Sequence, residues 1–152
     1  MIPRARARST LFALLVSAAV SPAAMASPPG GSLFIMDHQI DVKKDGWEKD
    51  LKKATKAALA KEGDGWHVFF VAYLKKAPGA PDVNLVFYGV DGGKREEANA
   101  FPIGTQPTAK ILMSDVTVTG ESGMKPGKYE VLITRLIDGK EEVYARSKVE
   151  LK

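Results

Sequence analysis

From Trp66 to Leu74 the chain carries apolar side chains on both parities: Trp66, Val68, Phe70, Ala72 and Leu74 on one, Phe69, Val71 and Tyr73 on the other. A strand with two apolar faces needs cover on both sides. Val83 to Val90 repeats the pattern, with Val83, Leu85 and Phe87 alternating against Val86, Tyr88 and Val90. The stretch before these strands has a different period. Between Asp45 and Lys61, Trp47, Leu51, Ala54, Ala58 and Leu59 recur at steps of three and four, while Lys49, Lys52, Lys53 and Lys56 fall mainly opposite. This predicts an amphipathic helix over 45–61, capped by Asp45 with Glu48 in capping-box position and stopped by Gly63. The helix is expected to cover one face of the strands and a second sheet the other, burying Trp47, Leu51 and Ala58 and leaving the lysines in water.

The flanking segments read as shorter strands. Leu33 to Met36, followed by Gln39 to Val42, predicts a first strand that changes phase near Asp37-His38. Lys75 to Asp82 and Asp91-Gly92-Gly93-Lys94 are turn-rich connections. Ala98 to Ile103 reads as an edge strand, because Pro102 has no N–H to give to a ladder. In Ala109 to Thr119, Ile111 and Met113 share one parity and Val116 and Val118 the other, which predicts a bulge at Ser114-Asp115. Lys128 to Leu136 and Glu141 to Leu151 complete about seven strands. Their connection reads as a three-residue loop, Ile137-Asp138-Gly139, pairing Leu136 with Lys140, Ile133 with Val143 and Val131 with Ala145. A two-residue Asp138-Gly139 turn sets Val131 against Arg146 and mixes the faces.

The segment Met124-Lys125-Pro126-Gly127-Lys128-Tyr129-Glu130-Val131 resembles the tyrosine corner of immunoglobulin-like and fibronectin III-like sandwiches, in which a tyrosine at the start of a late strand bonds upstream backbone. The resemblance implies an immunoglobulin-like β-sandwich with one helix between its first and second strands, and places 66–74 and 83–90 in opposite sheets. The alternative is an α+β fold in which those two strands pair as a hairpin with the helix on its back. Eight residues of likeness speak to fold, not activity.

Arg4, Arg6 and Arg8 precede an apolar run from Leu11 to Val20, and Ala24 and Ala26 stand as an A-x-A cleavage site. Residues 1–26 are thus expected to be a signal peptide, since the run is about half the ~20 residues a span requires. Residues 27–31 read as a flexible tether and 32–152 as one domain. Of the 22 Lys+Arg, three lie in the expected leader, so 19 face 18 Asp+Glu in the remainder. With near-neutral charge and an export signal, nucleic acid is not an expected partner, and no transmembrane segment is expected after the leader. The chain has no cysteine, which excludes thiol nucleophiles, thiolate metal sites and thioether lipid anchoring.

Candidate chemistry is sparse. His38 and His67 have no carboxylate at a metal-motif spacing. Asp91-Gly92-Gly93-Lys94 lacks phosphate-loop spacing, and Ser114, Ser122 and Ser147 lack a nucleophile elbow. Asp82, Asp91, Glu96 and Glu97 cluster without an EF-hand pattern. No catalytic, metal or cofactor residues are assigned. Trp47, Trp66, Tyr73 and Tyr88 are the candidate lining of a cleft between helix and sheet. The expected function is an exported, non-enzymatic binding or structural module, periplasmic or secreted, recognising another envelope or extracellular protein through loops such as 75–82 and 91–94. The alternative is a carrier of small apolar ligands, using that cleft.

Overall fold

The computed structural model describes residues 27–152, and the expected signal peptide lies outside them. Strands β1 (Leu33–Met36), β3 (Gly65–Tyr73) and β6 (Ile111–Thr119) form a three-stranded sheet in the order β1-β3-β6. Strands β2 (Ala58–Leu59), β4 (Asp82–Gly89), β5 (Glu96–Gly104), β7 (Gly127–Ile137) and β8 (Lys140–Leu151) form a five-stranded sheet in the order β2-β8-β7-β4-β5. The two sheets stack as a β-sandwich. The double-sided strands β3 and β4 sit in opposite sheets, so the hairpin alternative does not hold. Both send their larger apolar parity inward: Trp66, Val68, Phe70 and Ala72 meet Val83, Leu85 and Phe87 in one core cluster with Val131, Ile133, Tyr144 and Leu151. Each such side chain, fully buried, contributes roughly 1.5–3 kcal/mol relative to exposure.

The helix is shorter than its periodicity predicts. Helix α1 spans Trp47–Ala54 and Thr55 is already extended. Gly46, left-handed at φ 75°, is the N-cap, so Asp45 does not cap, and Glu48 is engaged elsewhere. The Thr55 N–H and hydroxyl both close on the Leu51 carbonyl, and the Lys56 N–H then donates to Ile35. Ala58 and Leu59, expected on the helix, instead form β2 in parallel with Glu150 and Leu151. Sheet pairing here outweighs helix propensity, because it takes Leu59 into the core between the sheets. This short strand makes the count eight rather than seven. Of the three helix positions expected to be buried, Leu51 is, whereas Trp47 and Ala58 are half-buried.

Other boundaries shift for identifiable reasons. Strand β1 ends at Met36, and Gln39 to Val42 is not strand. Gly31, at the end of the expected tether, bonds Tyr73 and Arg146, so ordered pairing begins before Leu33. Strand β5 lies at a sheet edge, as Pro102 predicts. Strand β6 runs in unbroken register against β3, from Ile111 opposite Tyr73 to Thr119 opposite Gly65, so the expected bulge is absent. The β7–β8 connection is the two-residue turn: Asp138 and Gly139 both have positive φ and Ile137 pairs with Lys140. A bulge between Ile133 and Thr134 leaves Tyr144 unpaired and moves the core register to Ile133 opposite Ala145 and Val131 opposite Ser147. The mixing of faces that argued against the short turn is removed by that extra residue.

Candidate functional site

The outer face of the three-stranded sheet carries the second apolar parity of β3. Along β1 and half of β3 this parity is covered: Leu51 of α1 is fully buried against Met36, Val71 and Tyr73, with Phe34, Trp47 and Phe69 packed around them. The Tyr73 hydroxyl donates to Glu48 Oε1 at 2.8 Å, tying sheet to helix, and its ring meets Phe34 edge-on. Burial first and the Glu48 carboxylate second push the Tyr73 phenol well above its ordinary value.

Toward β6 the cover stops. Val71 stands opposite Met113 and Tyr73 opposite Ile111, and these two β6 residues are 45% and 40% exposed. Val42, 39% exposed, flanks them from the β1–α1 connection. Between that connection and β6 lies a cleft of about 270 Å³ lined by Met36, Gln39, Ile40, Val42, Phe69, Met113 and Asp115. Of the five large apolar side chains most exposed among the described residues, Val42 and Met113 line this depression and Ile111 stands two residues before Met113 on the same face of β6; Leu136 and Ile137 sit at the tip of the β7–β8 hairpin.

Strand β6 is also an open edge. Its ladder partner is β3, and no described backbone group outside β3 bonds residues 111–118. The other edges are treated differently. Strand β1 is four residues long, β2 is two, and β5 carries Glu96, Glu97, Pro102 and a bulge opposite Phe87/Tyr88. Short strands, charges, prolines and bulges are the devices that keep an edge from pairing. In β6 one charge, Asp115, interrupts nine residues rich in β-branched side chains.

At one end of the cleft His67 Nε2 lies 2.7 Å from Asp115 Oδ2, and the His67 ring stacks on Phe69 at 4.1 Å. His38 pairs instead with Asp37, and that hydrogen bond holds the Asp37 carboxyl below its ordinary value. Both histidine pairs are about half exposed, and neither histidine is hydrogen bonded to a hydroxyl among the described residues. No group of three or more His, Asp or Glu among the described residues is arranged to hold a metal ion. Asp82, Asp91, Glu96 and Glu97 are all exposed.

The four aromatics expected to line one cleft are distributed over three places. Trp66 is in the inter-sheet core, 1% exposed, with its indole N–H on the Lys152 carbonyl at 3.0 Å. Tyr73 is under α1, and Trp47 is half-buried at the start of that helix. Tyr88 projects from the outer face of the five-stranded sheet, where the Arg95 guanidinium lies 3.8 Å from its ring centre and its hydroxyl donates to Glu141. Burial and Glu141 raise the Tyr88 phenol to about 12. The tyrosine at the β6–β7 corner behaves as its motif implies: the Tyr129 hydroxyl donates to the Lys125 carbonyl at 2.6 Å and accepts from the Lys125 N–H at 3.2 Å. The loop 75–82 is pinned, with Arg135 donating to the Pro78 carbonyl and Lys76 paired to Glu142. The apolar edge site escaped detection because the differing parities of Ile111 and Met113 and of Val116 and Val118 were read as a bulge; the shared parity of Ile111 and Met113 with Asp115 was its only trace.

No protein-family model matches the chain, and no curated protein matches it in sequence.

Proposed function

We propose that the protein is an exported, non-enzymatic binding module of immunoglobulin-like architecture that recognises an extended segment of another envelope or extracellular protein by strand addition to β6. The observation that carries this reading is the open nine-residue edge with Ile111 and Met113 exposed beside the cleft. An added strand bonds the free backbone groups of β6, and its alternate side chains lie over the outer face. At about 270 Å³ the cleft is smaller than the usual small-molecule pocket of ~300–1,000 Å³ and suits one or two side chains. The architecture is supported by the sheet order β8-β7-β4-β5 opposite β1-β3-β6 and by the Tyr129 corner.

Charge selects a foreign strand over a second copy. Full antiparallel overlap of Ile111–Thr119 with itself is centred on residue 115, which sets the two Asp115 carboxylates directly opposite each other. Like charges so placed are destabilising. The fitting partner strand alternates apolar residues toward the cleft and brings a basic residue to Asp115.

Selection of random displayed peptides against the purified protein tests this. Recovered sequences are expected to show period-two apolar residues with a basic residue between or beside them. Hydrogen exchange with a selected peptide is expected to show new protection in β6, and Met113→Lys to remove binding. His38→Ala with His67→Ala is expected to leave binding intact. Protection confined to another region, loss of binding only in the double histidine variant, or a β6-mediated homodimer seen by sedimentation overturns the proposal.

A further inference from the structure

A larger groove lies on the same sheet toward β1, separate from the β6 cleft and sharing none of its lining residues. Its volume is about 710 Å³, within the range of small-molecule sites. The apolar wall is Phe34 of β1, Trp47 of α1, and Pro28 and Pro29 of the segment leading into the domain. Lys49 and Lys52 stand in the lining on the polar face of α1. From this geometry we infer that the groove binds a single-chain carboxylate amphiphile, the fatty-acid class, with its tail along Trp47, Phe34 and the two prolines and its head group at the two lysines.

The charges around the groove choose an anionic ligand over a neutral or cationic one. Neither Lys49 nor Lys52 makes an ion pair with a described carboxylate, whereas the nearby Lys44 is paired to Asp50. The one acidic residue in the lining, Glu48, already has both oxygens occupied: Oε1 accepts the Tyr73 hydroxyl at 2.8 Å and Oε2 the Ser27 hydroxyl at 3.4 Å. Two exposed lysines with no described carboxylate partner thus stand in the lining of the groove against one carboxylate that is turned to internal partners. The apolar wall is planar and rigid: an indole, a phenyl ring and two pyrrolidines, which cover an alkyl chain with little loss of side-chain entropy. This differs from the cleft expected between helix and sheet, because only Trp47 of the four candidate aromatics belongs to it.

The two tryptophans make the test direct, since Trp47 borders the groove and Trp66 is 1% exposed in the core. In a Trp66→Phe background, titration with dodecanoate below its micelle concentration is expected to give a saturable blue shift of Trp47 emission. Dodecanol and dodecyltrimethylammonium are expected to bind at least about tenfold more weakly, as is dodecanoate to the Lys49→Glu/Lys52→Glu variant, whose circular dichroism stays that of the parent. Should Trp66→Phe not fold, the same titration is read in the parent protein against a Trp47→Phe variant, which loses the shift. Equal affinity for the three amphiphiles, a shift that survives in the double lysine variant, or binding to anionic phosphatidylglycerol vesicles with none to monomeric dodecanoate overturns the inference. Strand addition at β6 stands or falls separately, because Met113→Lys leaves this groove untouched.

Discussion

The protein has two apolar clusters, and they are built to different standards. Between the sheets, twenty-two buried side chains drawn from all eight strands and their connections close on one another. Under α1 there are four, Met36, Leu51, Val71 and Tyr73, edged by half-buried Phe34, Ile40, Trp47, Ala54 and Phe69. The first cluster is sealed by a second sheet; the second is covered by a helix of eight residues that spans about 12 Å at 1.5 Å per residue. So short a cover protects β1 and half of β3 and leaves both flanks recessed. One flank is the β6 cleft and the other the Trp47 groove. The larger cluster lies between the sheets, and the two proposed binding surfaces lie where the helix runs out.

The widest separation between the two clusters is expected at their centres. Trp66→Ala removes a buried indole together with its hydrogen bond to the Lys152 carbonyl, which keeps the Lys61 N–H as a partner, and should cost about 3–5 kcal/mol, most of it from the cavity. Equilibrium unfolding in urea measures it. A cost below about 1 kcal/mol would mean that the sheets do not depend on this cluster, and the contrast would be lost.

Leu51→Ala is the matching change under the helix. Leu51 is fully buried, but three half-buried aromatics beside it have room to collapse into the space it leaves, so the expected cost is about 2–3 kcal/mol, at the low end of the range for buried leucines. Hydrogen exchange sharpens the comparison: amides of α1 should lose protection in this variant while β4, β7 and β8 keep theirs. Equal loss throughout would show one cooperative core rather than a core with an appendage.

What the sequence disclosed follows the same division. Trp66 to Leu74 and Val83 to Val90 are apolar on both parities, which called for cover on both faces, and the tyrosine-corner resemblance then placed them in opposite sheets, where they lie. The Tyr129 corner was readable because its chemistry is local, a hydroxyl returning four residues upstream. The end of the helix was not. Ala57 to Leu59 has the composition of a helix, and only β8, about ninety residues later in the chain, draws it into a strand. The hairpin misled because the two-residue turn and the bulge each shift the register by one residue in the same direction, and a total shift of two leaves the parity unchanged. At β6 the error was informative: a bulge was expected to reconcile the parity of Ile111 and Met113 with that of Val116 and Val118, whereas the strand is regular and Ile111 and Met113 are largely exposed.

The smallest expected effect lies on that surface. In β6 the inward Leu112 is 5% exposed and belongs to the inter-sheet core, while the adjacent outward Met113 is 45% exposed at an open edge. Leu112→Ala should cost about 2–4 kcal/mol. Met113→Lys should change stability by less than about 0.5 kcal/mol, because a lysine stem covers similar apolar surface with its ammonium in water and edge lysines are tolerated. Urea midpoints of the two variants, with the denaturant slope unchanged, give the comparison one residue apart on one strand. If Met113→Lys costs more than about 2 kcal/mol, the outer face of β6 is structural in its own right, and an exposed edge held for a partner strand is no longer the reason its apolar side chains are there.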